Sequence, residues 1–226
     1  MALLFAFEGI DGTGKGTQAR LLRQNLEGLG LRVRTVSFPD YESFLGREIG
    51  QLLSGKQQTT AAELDPKSMA LWFASERWHT FNQVELDKFD VVIFDRYVLS
   101  NAIYQGVRVR REERKATAFL NWIFELEHNV FNLPHPNITF VLDVDEAQSA
   151  KNVWQKGHRA YTGYKPDVYE SSEMLQKVAR ESYRELAMVL SSKIQLIQCM
   201  ESDGTMRQKD DIAAEVLGHC KDLLPK

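Results

Sequence analysis

Leu3-Leu4-Phe5-Ala6-Phe7, then Gly9-Ile10-Asp11-Gly12-Thr13-Gly14-Lys15-Gly16-Thr17, then Gln18-Ala19-Arg20-Leu21-Leu22 is the stretch on which the fold turns. An apolar run of strand character stops at a glycine-rich turn, and a helix-forming stretch with apolar residues at helical spacing follows directly. Backbone N–H groups in such a turn point inward, and the helix aims the positive end of its dipole at the same spot, which makes a seat for phosphate. Side chains in the turn would obstruct both its strained dihedrals and the approach of that phosphate. Lys15 adds a point charge for the β- and γ-phosphates of a nucleoside triphosphate. The whole is a P-loop in strand–turn–helix context. Gly9, Asp11, Gly12, Thr13, Gly14, Lys15, Gly16 and Thr17 are the residues expected to hold the nucleotide.

One position departs from the strict pattern, in which Ser or Thr follows the lysine to meet magnesium. Here Gly16 follows Lys15, and Thr17 comes next. The ending Gly-Lys-Gly-Thr-Gln resembles nucleotide kinases such as adenylate kinase, where the threonine takes a phosphate contact and water completes the metal shell.

Outward from the turn, five apolar runs read as buried parallel strands: Leu3–Phe7, Arg32–Phe38, Val91–Phe94, Ile138–Leu142 and Ile194–Gln198. Helical patterns separate them at Lys15–Leu29, Pro66–Glu85, Glu112–Glu127, Glu146–Trp154 and Ser171–Leu190, and a last amphipathic segment covers Asp210–Leu223. Strands alternating with helices predict an α/β fold, a five-stranded parallel sheet with helices on both faces. Ligands in such sheets bind beyond the carboxyl ends of the strands, where the motifs here fall. A length of 226 residues suits one domain, 1–226, with a substantial core. The stretch Gln155–Lys165 carries two glycines and the cations Lys156, Arg159 and Lys165 with little apolar periodicity, and reads as a short lid over about 155–166.

Composition narrows the function. A formal net charge of −3 is the wrong sign for a dedicated nucleic-acid binder, so no nucleic-acid partner is expected. No apolar run approaches the length that crosses a bilayer, and the chain enters a strand at once without a basic leader. Two cysteines, Cys199 and Cys220, read as reduced structural thiols, so a cytoplasmic location is expected. Arg108, Arg110, Arg111, Arg114 and Lys115 are interrupted by Glu112 and Glu113 and read as a solvated helix start. Phe119, Trp122, Ile123 and Leu126 have helical spacing and suit either the core or a dimer face.

Asp95-Arg96-Tyr97 ends the apolar run Val91–Phe94. An aspartate at a central strand's end near a P-loop can hold magnesium, or else cap a helix. An arginine beside it suits a site where two phosphates approach one another.

At this point the chain resembles the thymidylate kinases over most of its length. Glu8-Gly9-Ile10-Asp11-Gly12, Phe38-Pro39-Asp40-Tyr41, Phe73-Ala74-Ser75-Glu76-Arg77-Trp78, Asp95-Arg96-Tyr97-Val98-Leu99-Ser100-Asn101 and Tyr104 look like that family's motifs, in order. The Asp-Gly-Tyr-Pro-Arg segment of adenylate kinases is absent. The resemblance implies the transfer of the γ-phosphate of ATP to dTMP with Mg2+, in a homodimer. It implies that Phe73 stacks on thymine, that Arg77 and Asn101 read its edge, and that Tyr104 excludes a 2′-hydroxyl. Arg96 would grip the acceptor phosphate, with Phe38 and Tyr41 on that side. Asp11 would meet the sugar 3′-hydroxyl or the metal. Asp167-Val168-Tyr169-Glu170 resembles the segment that returns to the site after the lid, with Tyr169 at the substrate and Glu170 beside Asp11 and Asp95 as a metal residue. The acceptor is a phosphate monoester with a second pKa near ~6, so no general base is needed and positive charge matters most. Lys15, Arg96 and Asp95 are the expected catalytic groups. Because Gly12 stands where some members carry an arginine, Arg159 of the lid is expected to supply the further cation.

Overall fold

Every strand of the sheet runs in the same direction, in the spatial order β2–β3–β1–β4–β5. A computed structural model describes residues 2–109, 113–155, 162–163 and 165–224, with the backbone alone described for 113–116. The strands are β1 (Leu3–Glu8), β2 (Val33–Ser37), β3 (Val91–Asp95), β4 (Ile138–Asp143) and β5 (Ile194–Gln198). Their apolar runs match the sequence expectation because strands buried on both faces need no polar alternation. Ser37 pairs with Asp95, and Asp95 with Phe7, so β2, β3 and β1 end in register. Phe38, Arg96 and the P-loop therefore emerge along one edge of the sheet.

Eight α-helices surround it among the described residues: α1 (Lys15–Gly28), α2 (Phe44–Leu53), α3 (Pro66–Phe81), α4 (Val98–Val109), α5 (Glu113–Phe124), α6 (Glu146–Gln155), α7 (Glu173–Val189) and α8 (Lys209–Cys220). The period of two in β1 sorts its side chains between layers. Phe5 and Phe7 pack with Leu22 and Leu26 of α1 and Val216 of α8. Leu4 and Ala6 face the other way, onto Ala70 of α3 and Val98 and Ala102 of α4. Each buried Phe, Leu or Val contributes about 1.5–3 kcal/mol over leaving it in water.

Local chemistry sets the helix ends. Asp65 caps α3 by accepting from the Ser68 N–H at 3.0 Å, with Pro66 at the first helical position. Ser43 caps α2 through the Gly46 N–H at 2.9 Å, and Ser172 caps α7. The pattern read as one helix over 66–85 stops at Phe81, and the pattern over 112–127 passes into a π-helical segment, Glu125–Val130. Two helices carried no sequence signal. In α4 every residue from Val98 to Gly106 is buried, so no solvent-facing polar stripe marks it. Two glycines interrupt α2, and Gly46 is required there: a Cβ would stand 1.8 Å from the Asp40 carbonyl oxygen.

Candidate active site

One cavity of about 970 Å3 runs from Lys15 and Thr17 past Asp95 and Arg96 to Phe73 and Asn101. Its floor is the edge where β1, β2 and β3 end.

At one end, the P-loop turns back on itself. Lys15 is buried, and its Nζ donates to the carbonyls of Gly9 at 3.1 Å and Ile10 at 2.7 Å. Thr13 Oγ1 donates to the Ile10 carbonyl at 3.0 Å. Gly12 is backed by α6, where a Cβ would lie 2.2 Å from the Ser149 carbonyl oxygen, so no side chain fits at that position. Asn152 Nδ2 donates to the Gly12 carbonyl at 2.9 Å, and Ser149 Oγ donates to the Asp11 carbonyl.

At the middle, Arg96 is the hub. It has a left-handed backbone, φ 67°, which a non-glycine residue adopts only at some cost. Its N–H donates to the Phe7 carbonyl at 3.0 Å, which ties the turn to the end of β1. Its Nη1 reaches Ser100 Oγ at 3.0 Å and the Gly9 carbonyl at 3.3 Å, and its Nη2 pairs with Asp11 Oδ1. Burial disfavours the guanidinium charge, yet the groups around it, Asp11 first among them and then Tyr104, Tyr183 and Glu8, together outweigh it and raise the Arg96 pKa well above its ordinary value. The other Asp11 oxygen lies 2.8 Å from the Tyr104 hydroxyl and 2.9 Å from Gln176 Nε2. Burial, and next the Asp11 charge, push the Tyr104 phenol well above its usual range, so it stays a donor.

The far end is apolar with a few fixed polar groups. Phe73 is half-buried on the cavity wall. Phe38 is a core residue whose ring packs 5.8 Å from both Phe94 and Tyr97 and reaches the cavity only as lining. Tyr41 lines the same wall. Arg77 forms a buried two-point ion pair with Glu127, Nε–Oε2 2.5 Å and Nη2–Oε1 3.2 Å. Asn101 Nδ2 joins the same carboxylate at 2.8 Å. Tyr104 stacks on Tyr169 with ring centroids 5.9 Å apart, and the Tyr169 hydroxyl donates to the Ala61 carbonyl at 3.2 Å.

Of the three expected metal residues, Asp95 has the most suitable surroundings. A Cβ on Gly16 would stand 2.9 Å from Asp95 Oδ2, so the glycine leaves room for that carboxylate beside the P-loop. The two oxygens of Asp11 are engaged by Arg96, Tyr104 and Gln176. Glu170 Oε2 accepts from the Asp167 N–H at 2.9 Å. No group of three or more His, Cys, Asp or Glu among the described residues could hold a metal by itself. A single carboxylate beside a phosphate seat fits Mg2+, which keeps several waters and is held through one or two carboxylates plus phosphate. Arg159 and Lys156 lie outside the described residues, as does most of the stretch read as a lid.

Several groups help to build the site without a role there being expected from the sequence. Glu8 is fully buried at the end of β1 and accepts from the N–H groups of Tyr97 at 2.8 Å and Ser100 at 3.1 Å, and from the Tyr183 hydroxyl at 3.1 Å. It satisfies the start of α4 from beneath, and burial raises its pKa despite those bonds. Glu76 accepts from the Asp40 N–H at 2.9 Å and from Thr80 Oγ1 at 2.7 Å, which fixes the turn after β2. Arg108, read as part of a solvated cluster, donates to Gln105 Oε1 at 2.7 Å, the Tyr169 hydroxyl at 3.0 Å and the Ala62 carbonyl at 3.0 Å. A charge inside an apolar strand, as at Glu8, was the one visible signal among these.

Comparison with known proteins gives a consistent picture. A sequence profile of the family described as Thymidylate kinase matches residues 7–208. A probable thymidylate kinase of Methanocaldococcus jannaschii is 31% identical over 226 residues, covering 98% of this chain and 97% of that protein. The thymidylate kinase of Mycobacterium tuberculosis is 31% identical over 188 residues, covering 82% and 86%. Among solved structures, the thymidylate kinase of Candida albicans superposes with a TM-score of 0.73 at 20% identity, covering 98% of this chain and 92% of that one. That of Ehrlichia chaffeensis gives 0.67 at 21%, covering 96% and 98%. The fold is that of the P-loop NTPases.

Proposed function

This chain belongs to the thymidylate kinase family, and on that premise we propose that it transfers the γ-phosphate of ATP to dTMP, giving dTDP. The observation that carries the reading is the single cavity joining a phosphate-binding turn to an aromatic and hydrogen-bonding wall across Arg96. Two anions can meet there end to end.

The acceptor phosphate is mostly dianionic at neutral pH, its second pKa being near ~6, and needs no base. The barrier is repulsion between anions, so placed positive charge does the catalysis. Lys15 exchanges the Gly9 and Ile10 carbonyls for donor phosphate oxygens. Arg96, already aimed along the cavity by Asp11 and Ser100, holds the acceptor phosphate. Asp95 would hold Mg2+ beside the phosphates, where the ion would supply neutralising charge for the group in transfer. Because no side chain fits at Gly12, the additional cation comes from the lid, with Arg159 as its source.

At the other end Phe73 offers a face for thymine, while Arg77 and Asn101 meet its edge. Tyr104, stacked on Tyr169, stands on the sugar side, and the resemblance supports its role in excluding a 2′-hydroxyl. We further infer a homodimer through α5, where Phe119 and Trp122 are only partly covered, 5.6 Å apart. No helix among the described residues is long and apolar enough to cross a membrane. Cys199 and Cys220 are buried free thiols, as suits the cytoplasm.

A coupled assay comparing dTMP, dUMP, the ribose form of TMP and AMP, with and without Mg2+, tests the assignment. Turnover of dTMP above the others supports it, and a preference for AMP overturns it.

A further inference from the structure

Asn101 sits on α4, whose residues from Val98 to Gly106 are all buried, so its amide must be matched from within the protein. Nδ2 donates to the Ala70 carbonyl at 3.0 Å and to Glu127 Oε1 at 2.8 Å. Both partners only accept, so the amide has one possible orientation. Oδ1 is then left facing elsewhere, buried and without a partner among the described residues. Asn101 lines the cavity. A buried acceptor without a donor costs about 1–3 kcal/mol, which a ligand N–H would recover.

Glu127 is itself locked. It is fully buried on the π-helical segment after α5 and held by Arg77, whose side chain is 3% exposed. Burial works against the Arg77 charge, and Glu127, with smaller help from Glu76 and Tyr97, more than compensates, so the guanidinium stays charged. The pair uses Nε and Nη2 and leaves Nη1 out of it.

We propose that Glu127 is the positioning residue for base selection: it holds Asn101 as an acceptor and Arg77 as a donor toward the cavity. That combination fits a ring N–H beside a carbonyl, the imide edge of thymine or uracil. It mismatches the cytosine edge, which offers a bare ring nitrogen beside an amino group. The inference rests on reading this cavity as the dTMP site. It adds that a carboxylate which touches no substrate decides which way the reading amide points. Glutamine at 127 could donate to Asn101 Oδ1, so the amide would be free to present either atom.

The test compares kcat/KM for dTMP and 5-methyl-dCMP, which differ only at that edge, in the wild type, Glu127→Gln and Glu127→Asp. The expected result is that Glu127→Gln lowers the dTMP to 5-methyl-dCMP ratio about tenfold or more, chiefly through KM for dTMP, and that Glu127→Asp recovers part of it. A purely structural role would depress both substrates alike, and an unchanged ratio overturns the proposal. If Glu127→Gln does not fold, Arg77→Gln is compared with Arg77→Gln/Glu127→Gln. The second change should lower the ratio further, and equality of the two overturns the role. Failure of the wild type to phosphorylate dTMP would instead remove the functional reading itself.

Discussion

Asp95 Oδ2 lies 2.9 Å from where a Cβ on Gly16 would begin, so the carboxylate at the end of β3 occupies the space that a residue after the P-loop lysine would fill. This accounts for the glycine where the strict motif has Ser or Thr. The hydroxyl ligand is replaced by room for a carboxylate.

Gly16→Ala should therefore separate stability from activity. The contact is with the end of a side chain that can swing away, and alanine in a helix stabilises by about 0.4–1 kcal/mol relative to glycine. Thermal denaturation should show no loss. The displaced Asp95 should raise the Mg2+ concentration for half-maximal rate by about tenfold. An unchanged Mg2+ dependence would remove Asp95 from the metal site.

Arg96→Ala should lower kcat/KM for dTMP by about 10²–10³ while ATP binding changes little. Arg96→Gly should lose the same activity but unfold at a higher temperature than the alanine variant. Glycine carries no penalty at φ 67°, a difference of about 1 kcal/mol. Equal melting temperatures would show that the turn is not strained.

Asp167 sets a pH dependence. Burial, then the charges of Asp11 and Glu170, raise its pKa to about 7. In the unfolded chain it titrates near ~3.9, so the native state binds the extra proton between the two values. Stability from this group is greatest at the acid end of that window and is lost as pH rises through about 7. Asp167→Asn should melt above the wild type at pH 8 and lose that advantage toward pH 5. A constant offset across the range would contradict the assignment.

Glu8→Gln should cost about 1–3 kcal/mol, because the amide brings hydrogens to a site crowded with donors. Tyr97 and Ser100 both present N–H groups to that carboxylate. Denaturant unfolding checks it. A stability within about 0.5 kcal/mol of the wild type would mean that Glu8 is already protonated and bridging differently.

The five strands and the P-loop were legible because each is a local pattern, an apolar run or a spacing of glycines. The order of motifs also singled out Arg96, Asp95 and Asn101, which the fold gathers along one cavity. Glu127 and Gln176 were not legible. They lie 50 residues from Arg77 and 165 from Asp11, and each matters through a partner that only the tertiary fold supplies. Arg108 misled because charges in a row look solvated in a sequence, whereas here the helix turns one of them back onto Gln105 and Tyr169. Helix α4 was hidden because its polar residues face the cavity rather than water.

The backing of Gly12 by α6 has a mechanical consequence. Ser149 and Asn152 bolt the phosphate turn to the helix from which the chain runs on toward Arg159. A triphosphate that shifts the turn would therefore press directly on α6, with no intervening element to absorb the movement.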